Sequence, residues 1–138
     1  RPERMAALLG IAAAPDFTED LIPDALSDEQ RADLARNGYI DIPNCYDDQE
    51  PYRIRQALLD DGRENLLLRA PIEINVPVRL IQGMRDEDVP WETSLKITDK
   101  LVAEDVEITY VKAGDHRLSE EHDLKRLERT LTALLEDL

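Results

Sequence analysis

PVRLIQGMRDEDVPW, Pro77 to Trp91, joins an apolar run to a glycine, places an Asp three residues later and closes on Val-Pro. An apolar run of this length, bounded by turn residues, is the mark of a buried strand, predicted here over Val76 to Gln82. Pro77 is tolerated because it falls at the strand's first residues. Asp86 then lies in the turn directly beyond the strand. A second stretch, VEITYVKAGDHRLS from Val106 to Ser119, repeats the arrangement. Val106, Ile108 and Tyr110 alternate with polar residues into a strand, and Gly114-Asp115-His116 forms the turn after it.

Working outward, Met5 to Ala14 is an almost unbroken apolar run ending at Pro15-Asp16. It fits a strand buried on both faces of a parallel sheet, or a short buried helix, since Ala and Leu are good helix formers. Between Phe17 and Glu73 the pattern is helical and loop-like. Ser27-Asp28-Glu29-Gln30 matches a capping box, and the helix it opens stops at Asn37-Gly38. Tyr39 to Glu50 reads as a loop; Pro51 opens a second helix carrying Ile54, Leu58 and Leu59 and ending at Gly62, and Leu66 to Leu68 forms a short third. A helix follows from Pro90 to about Glu104, with Leu95, Leu101 and Val102 near one face. Ser119 caps a last helix on which Leu124, Leu127, Leu131, Leu134, Leu135 and Leu138 form one apolar stripe.

The order is strand, helical insertion, strand, helix, strand, helix, which implies an α/β fold with a mostly parallel sheet and crossover helices. Three strands are few for such a sheet. Arg1 to Arg4, followed at once by MAALLGIAAA, reads as the end of a helix entering a strand, so the chain is expected to be cut from something longer.

The formal charge of -14, from 31 acidic and 17 basic residues, is spread along the chain. Such a surface repels phosphate backbones and anionic headgroups, which argues against nucleic acid as a partner. The longest apolar run is too short to span a bilayer, so no membrane association is expected. The single Cys45 has no internal disulfide partner, favouring a reducing compartment and a cytoplasmic location.

Asp86 and His116 are the candidate site residues. Both follow strands, so both turns project at the same edge of a parallel sheet. An Asp there can fix the tautomer of a neighbouring histidine and stabilise its imidazolium. A histidine titrates near neutral pH and can serve as general base for a hydroxyl. Plain turn residues explain each of them separately. His122, a turn into the last helix, reads as a solvated residue. Asp47-Asp48-Gln49-Glu50 lacks the glycine and spacing of a calcium loop, two His and one Cys far apart give no zinc signature, and no cofactor is expected. Cys45 has no basic neighbour to make it a nucleophile. Trp91, Tyr39, Tyr46 and Tyr52 either line a pocket or pack ordinarily. No Gly-x-Ser-x-Gly occurs; Ser27 and Ser119 read as caps, and Ser94 has no elbow glycines.

The order acid, strand, histidine, final helix is that of the α/β-hydrolases. RPERMAALLGIAAAPDF, PIEINVPVRLIQGMRDEDVPW and the Gly114-Asp115-His116-Arg117 turn resemble the serine α/β-hydrolases of the palmitoyl-protein thioesterase and acyl-glucuronide esterase type; GMRDEDVPW joined to DHR is the specific part. The resemblance covers nearly the whole chain, most loosely in the insertion. It implies that residues 1–138 are the carboxyl-terminal part of one α/β-hydrolase domain, that Asp86 and His116 are acid and base of a triad, and that Phe17 to Glu73 is a lid over an acyl pocket. It also implies that an amino-terminal half, the partner of these residues, holds the nucleophilic Ser, the oxyanion donors and the first strands. The expected activity is that of a serine hydrolase on a small carboxylic ester or acyl thioester, with this chain alone inactive and prone to self-association through its open sheet. The rival expectation is a non-catalytic α/β-hydrolase-like binding or assembly module.

Overall fold

A computed structural model describes residues 4–43 and 50–138. The chain divides into two compact units, one of Arg1–Pro15 with Leu67–Leu138 and one of Asp16–Leu66.

The first unit is built on a parallel three-stranded sheet. Strands β1 (Leu8–Ile11) and β5 (Val106–Val111) flank β4 (Val78–Gly83), giving the order β1-β4-β5. The register pairs Leu8 with Val78 and Val78 with Val106, so the three strands start level. Central β4 is the most buried, as its place between two neighbouring strands requires: Val78, Leu80, Ile81 and Gln82 are all sealed from solvent. Val78 and Leu80 face a core with Leu68, Ile97, Leu101 and Ala103, while Ile81 packs on the other face with Val111 and Leu118. Alternation along a strand sends neighbours to opposite faces, which is why one run serves two cores. Helix α5 (Glu92–Lys100) connects β4 to β5, and α6 (Glu121–Glu136) follows β5.

Three expectations for this unit need correction. β1 is shorter than Met5 to Ala14 and is not buried on both faces; it lies at a sheet edge and Ile11 is exposed. On α5 the inward face carries Thr93, Ser94 and Ile97, while Leu95 and Val102 face solvent, because the helix begins at Glu92 and that phase places Ile97 and Leu101 over the sheet. Ser119 is not the cap of α6; Glu120 is, without a side-chain bond, because the turn after His116 runs one residue further. The leucine stripe of α6 has the expected spacing, yet Leu134 is buried and Leu127 packs beside Ile81 while Leu124, Leu131, Leu135 and Leu138 remain exposed.

The second unit holds short helices α1 (Phe17–Asp20) and α2 (Ile22–Ala25), then α3 (Asp28–Asn37), a two-stranded antiparallel sheet of β2 (Tyr39–Ile42) and β3 (Tyr52–Arg55), and α4 (Gln56–Glu64). The capping box of α3 forms as expected: the Gln30 amide donates to the Ser27 hydroxyl and the Ser27 amide to the Gln30 side chain. Gly38 ends the helix in the left-handed region, with φ of 75°, where a side chain would be strained. Two boundaries differ from expectation: the expected loop begins with a strand at Tyr39–Ile42, and the helix expected from Pro51 starts later, since Tyr52–Arg55 is a strand and α4, which carries Leu58 and Leu59, runs over Gln56–Glu64. Ile40 pairs with Ile54, and both are buried with Leu26, Leu34 and Leu59. Across the same ladder Arg53 donates two hydrogen bonds to the Asp41 carboxylate, each 2.7 Å. Packing across the strands thus overrides a weak local pattern. Leu66 to Leu68 is not helical, and Leu68 joins the core of the first unit. Cys45, Tyr46 and the Asp47 to Gln49 run lie outside the described residues.

Candidate active site

The site lies at the carboxyl ends of β4 and β5, where open α/β sheets place their chemistry. Its two turns are held together through the backbone. The amide of Met84 donates to the Val111 carbonyl and that of Arg85 to the Gly114 carbonyl, both at 2.9 Å. Gly83 permits the approach, since a Cβ there would overlap the carbonyl oxygens of Gly114 and Asp115. The second turn is pinned by its own side chain: Asp115 Oδ1 accepts the Leu118 amide at 2.9 Å, with Leu118 buried and in the left-handed region at φ of 45°. A leucine in that conformation costs about 1 kcal/mol, which its burial beneath Gly114 offsets.

These constraints bring Asp86 and His116, thirty residues apart, to a hydrogen bond of 3.0 Å between His116 Nδ1 and Asp86 Oδ2. The Asp86 side chain is fully buried, and the His116 ring is 36% exposed. Asp86 Oδ1 accepts the amides of Asp88 at 2.9 Å and Val89 at 2.8 Å, and Oδ2 accepts from Gln82 Nε2 at 3.0 Å in addition to the histidine. Four hydrogen bonds thus converge on one carboxylate, two at each oxygen. A carboxylate only accepts, so Nδ1 carries the proton and Nε2 keeps a basic lone pair. The arrangement can therefore take up a proton at Nε2 and stabilise the resulting cation against Asp86.

One ligand-capable atom each of Asp86, Asp88 and His116 lies within 4.8 Å of the others. Both Asp86 oxygens already accept two hydrogen bonds apiece, filling their lone pairs, so the set suits a proton relay better than a cation.

His122 is exposed, with Nε2 at 3.5 Å from Asp123 Oδ1, and it is not brought to the Asp86 turn. Ser94 is buried and its hydroxyl donates to Gln82 Oε1 at 3.5 Å; Ser27 caps α3, and Ser119 is exposed. Trp91 packs edge-on against Tyr110 with ring centroids 5.4 Å apart, and the Tyr110 hydroxyl donates to the Trp91 carbonyl. Burial and then the nearby Glu92 push the Tyr110 phenol above its ordinary range. Tyr39 stacks under the Arg53 guanidinium, and Tyr52 is exposed on β3.

Gln82 is the residue that sequence reasoning missed. Its signal was an uncharged polar side chain following the apolar pair Leu80-Ile81, directly before the glycine. A groove of about 500 Å³, lined by Asn75, Val76, Pro77, Val102, Ala103, Glu104 and Asp105, opens at the other end of the sheet, away from this pair.

No protein-family model matches the chain. It is 36% identical over 140 residues to "Palmitoyl-protein thioesterase ABHD10, mitochondrial" of Mus musculus, covering all of this chain and 46% of that protein. Among solved structures, a protein of Agrobacterium vitis S4 named as a hydrolase superposes with a TM-score of 0.88 at 43% identity, over 94% of this chain and 49% of that one. Mouse alpha/beta hydrolase domain-containing protein 10 superposes at 0.84 with 36% identity, over 99% and 54% respectively. The chain spans about half the length of the curated relatives it matches. Among the described residues no helix is long and apolar enough to cross a membrane.

Proposed function

We propose, from the premise that this chain is the carboxyl-terminal part of an α/β-hydrolase fold, that the intact protein is a serine hydrolase acting on carboxylic esters or acyl thioesters. The observation that carries the reading is the 3.0 Å bond from the His116 ring to a fully buried Asp86 at the carboxyl edge of the sheet. His116 Nε2 takes the proton of a serine hydroxyl supplied by residues outside this chain, as that oxygen attacks the acyl carbonyl. Asp86 stabilises the imidazolium. The protonated ring then gives its proton to the departing alcohol or thiol, leaving an acyl-enzyme, and next deprotonates the water that releases the acid. A thioester substrate is supported by the names of the curated relatives.

To the insertion, Phe17 to Glu73, we assign the role of a lid over the acyl pocket; its place in the chain between β1 and β4 supports this. The amino-terminal half of the same protein is the natural partner of the open sheet, and residues 1–138 alone should lack activity and self-associate on size exclusion. A reducing compartment, the cytoplasm, belongs to the same reading of the lone Cys45.

The test is hydrolysis of p-nitrophenyl esters and acyl thioesters by the full-length protein, with labelling by a serine-directed fluorophosphonate. Turnover and labelling are expected, and His116→Ala should abolish turnover. No turnover and no labelling in the full-length protein would instead favour a non-catalytic module. Labelling of residues 1–138 alone would overturn the assignment of the nucleophile.

A further inference from the structure

We propose that Gln82 is a positioning residue for the Asp86–His116 pair, holding the carboxylate in register with the ring and setting how much negative charge the ring feels. The proposal deepens the hydrolase reading and rests on it for its catalytic consequence, though not for its electrostatic one.

Gln82 is fully buried on the central strand, where a primary amide is tolerated only when hydrogen-bonded. Its Nε2 sits among three acceptors: Asp86 Oδ2 at 3.0 Å, the Gly83 carbonyl at 3.2 Å and the Val89 carbonyl at 3.4 Å. Three oxygens around one nitrogen leave the amide a single sensible orientation, since its own oxygen in that place would face all three. Its Oε1 accepts from buried Ser94 on α5, which sets the other end. The side chain therefore bridges the start and end of the Gly83 to Val89 turn, with Asp86 between them.

What distinguishes the contact is the atom it uses. Gln82 and His116 donate to the same oxygen, Oδ2, while the two backbone amides hold Oδ1. The backbone amides and Gln82 together prevent rotation of the carboxylate and aim Oδ2 at the ring. A neutral amide also removes part of the charge on Oδ2 without supplying a cation that would pair with Asp86 outright. An apolar residue at this position would return full charge to Oδ2 and free it to turn. Asp86 and Asp88 from the β4 turn bring titratable groups close to the ring, and Asp115 and Arg117 flank His116 in the chain.

The experiment uses the full-length protein, wild type and Gln82→Met, a variant of similar length with no donor. Imidazole NMR follows the titration of the His116 ring, identified by its loss in His116→Ala, and the pH dependence of kcat/KM is measured on an acyl thioester. Gln82→Met should move the ring's titration midpoint upward by about half a pH unit, because the carboxylate it faces carries more charge. It should move the acid limb of kcat/KM the same way and lower kcat about tenfold with KM little changed. Ile97→Val, a core change of comparable burial that touches neither turn, should shift neither midpoint. Superimposable titrations of wild type and folded Gln82→Met would overturn the proposal and leave Gln82 as core filler.

Should Gln82→Met fail to fold, the wild type still decides the matter. The Gln82 side-chain NH₂ resonances should shift with the His116 midpoint, and their indifference to pH would overturn the proposal. A protein without turnover whose ring midpoint moves in Gln82→Met would sink the hydrolase reading while supporting the coupling.

Discussion

Asp86 and Asp123 are both buried carboxylates with a histidine beside them, and they differ in what else holds them. Asp86 receives two backbone amides, one neutral side-chain amide and the His116 ring, so none of its donors is a fixed cation. Asp123 lies in the first turn of α6 and accepts Arg126 Nη1 at 2.6 Å, its charge already answered by a guanidinium three residues away. His122 stands 3.5 Å from it, on the exposed face, as a bystander. A carboxylate held by neutral donors keeps its charge available to stabilise a transient imidazolium; one paired with arginine does not. Under the proposed hydrolase reading, burial and a nearby histidine are therefore insufficient marks of a working pair. The partners of the carboxylate discriminate.

The largest expected effect is on the first of these sites. Asp86→Asn in the full-length protein should reduce kcat about 10⁴-fold by inverting the tautomer of His116, read as turnover of an ester or thioester. A drop of less than tenfold would remove the distinction between the two carboxylates.

Gly83→Ala should act next most strongly. The new Cβ meets backbone oxygen of Gly114 and Asp115, which yields less readily than a side chain, so the His116 turn must move. A loss of about 2 kcal/mol in urea unfolding, with a lower kcat, is expected. Unchanged stability together with unchanged kcat would mean that the close approach does not hold the site.

Asp123→Asn should destabilise the fold by about 1 kcal/mol, since Arg126 loses its buried acceptor, and leave kcat within twofold. His122→Ala should change neither. A catalytic defect in either variant would erase the contrast from the other side.

The smallest effect concerns Tyr110, which leads into the His116 turn from β5. Its phenol is raised by burial, so the folded state holds that proton more tightly than the unfolded chain. The associated stability is fully present below about pH 10 and is lost as pH rises through the folded-state value. Unfolding followed from pH 9 to pH 11 should show an alkaline decline, shallower in Tyr110→Phe. Equal declines would exclude burial of that phenol as the cause.

Much of this was legible in one dimension. An apolar run ending in glycine marked β4, alternation marked β5, and Ser27 with Gln30 and Gly38 marked both ends of α3, because strand burial and helix capping act over a few residues. The Asp86 and His116 turns followed from the rule that sites gather at the carboxyl edge. The β2–β3 ladder was not legible, since four-residue strands such as YIDI and YRIR carry too little alternation to announce themselves, and only the pairing of Ile40 with Ile54 over Leu34 and Leu59 makes them strands. Nor was the reach of the α6 stripe, whose spacing says which leucines share a face but not what covers them.

The sequence alone settled an α/β chain with parallel strands and two chemically competent turns, because periodicity and turn chemistry are local properties. Tertiary structure decided that those turns touch through Asp86 Oδ2 and His116 Nδ1, that Gln82 shares the same oxygen, and that Asp123 answers to Arg126 instead. Such partnerships depend on which atoms converge once strands distant in the chain are placed side by side, and residue order does not encode that convergence at short range.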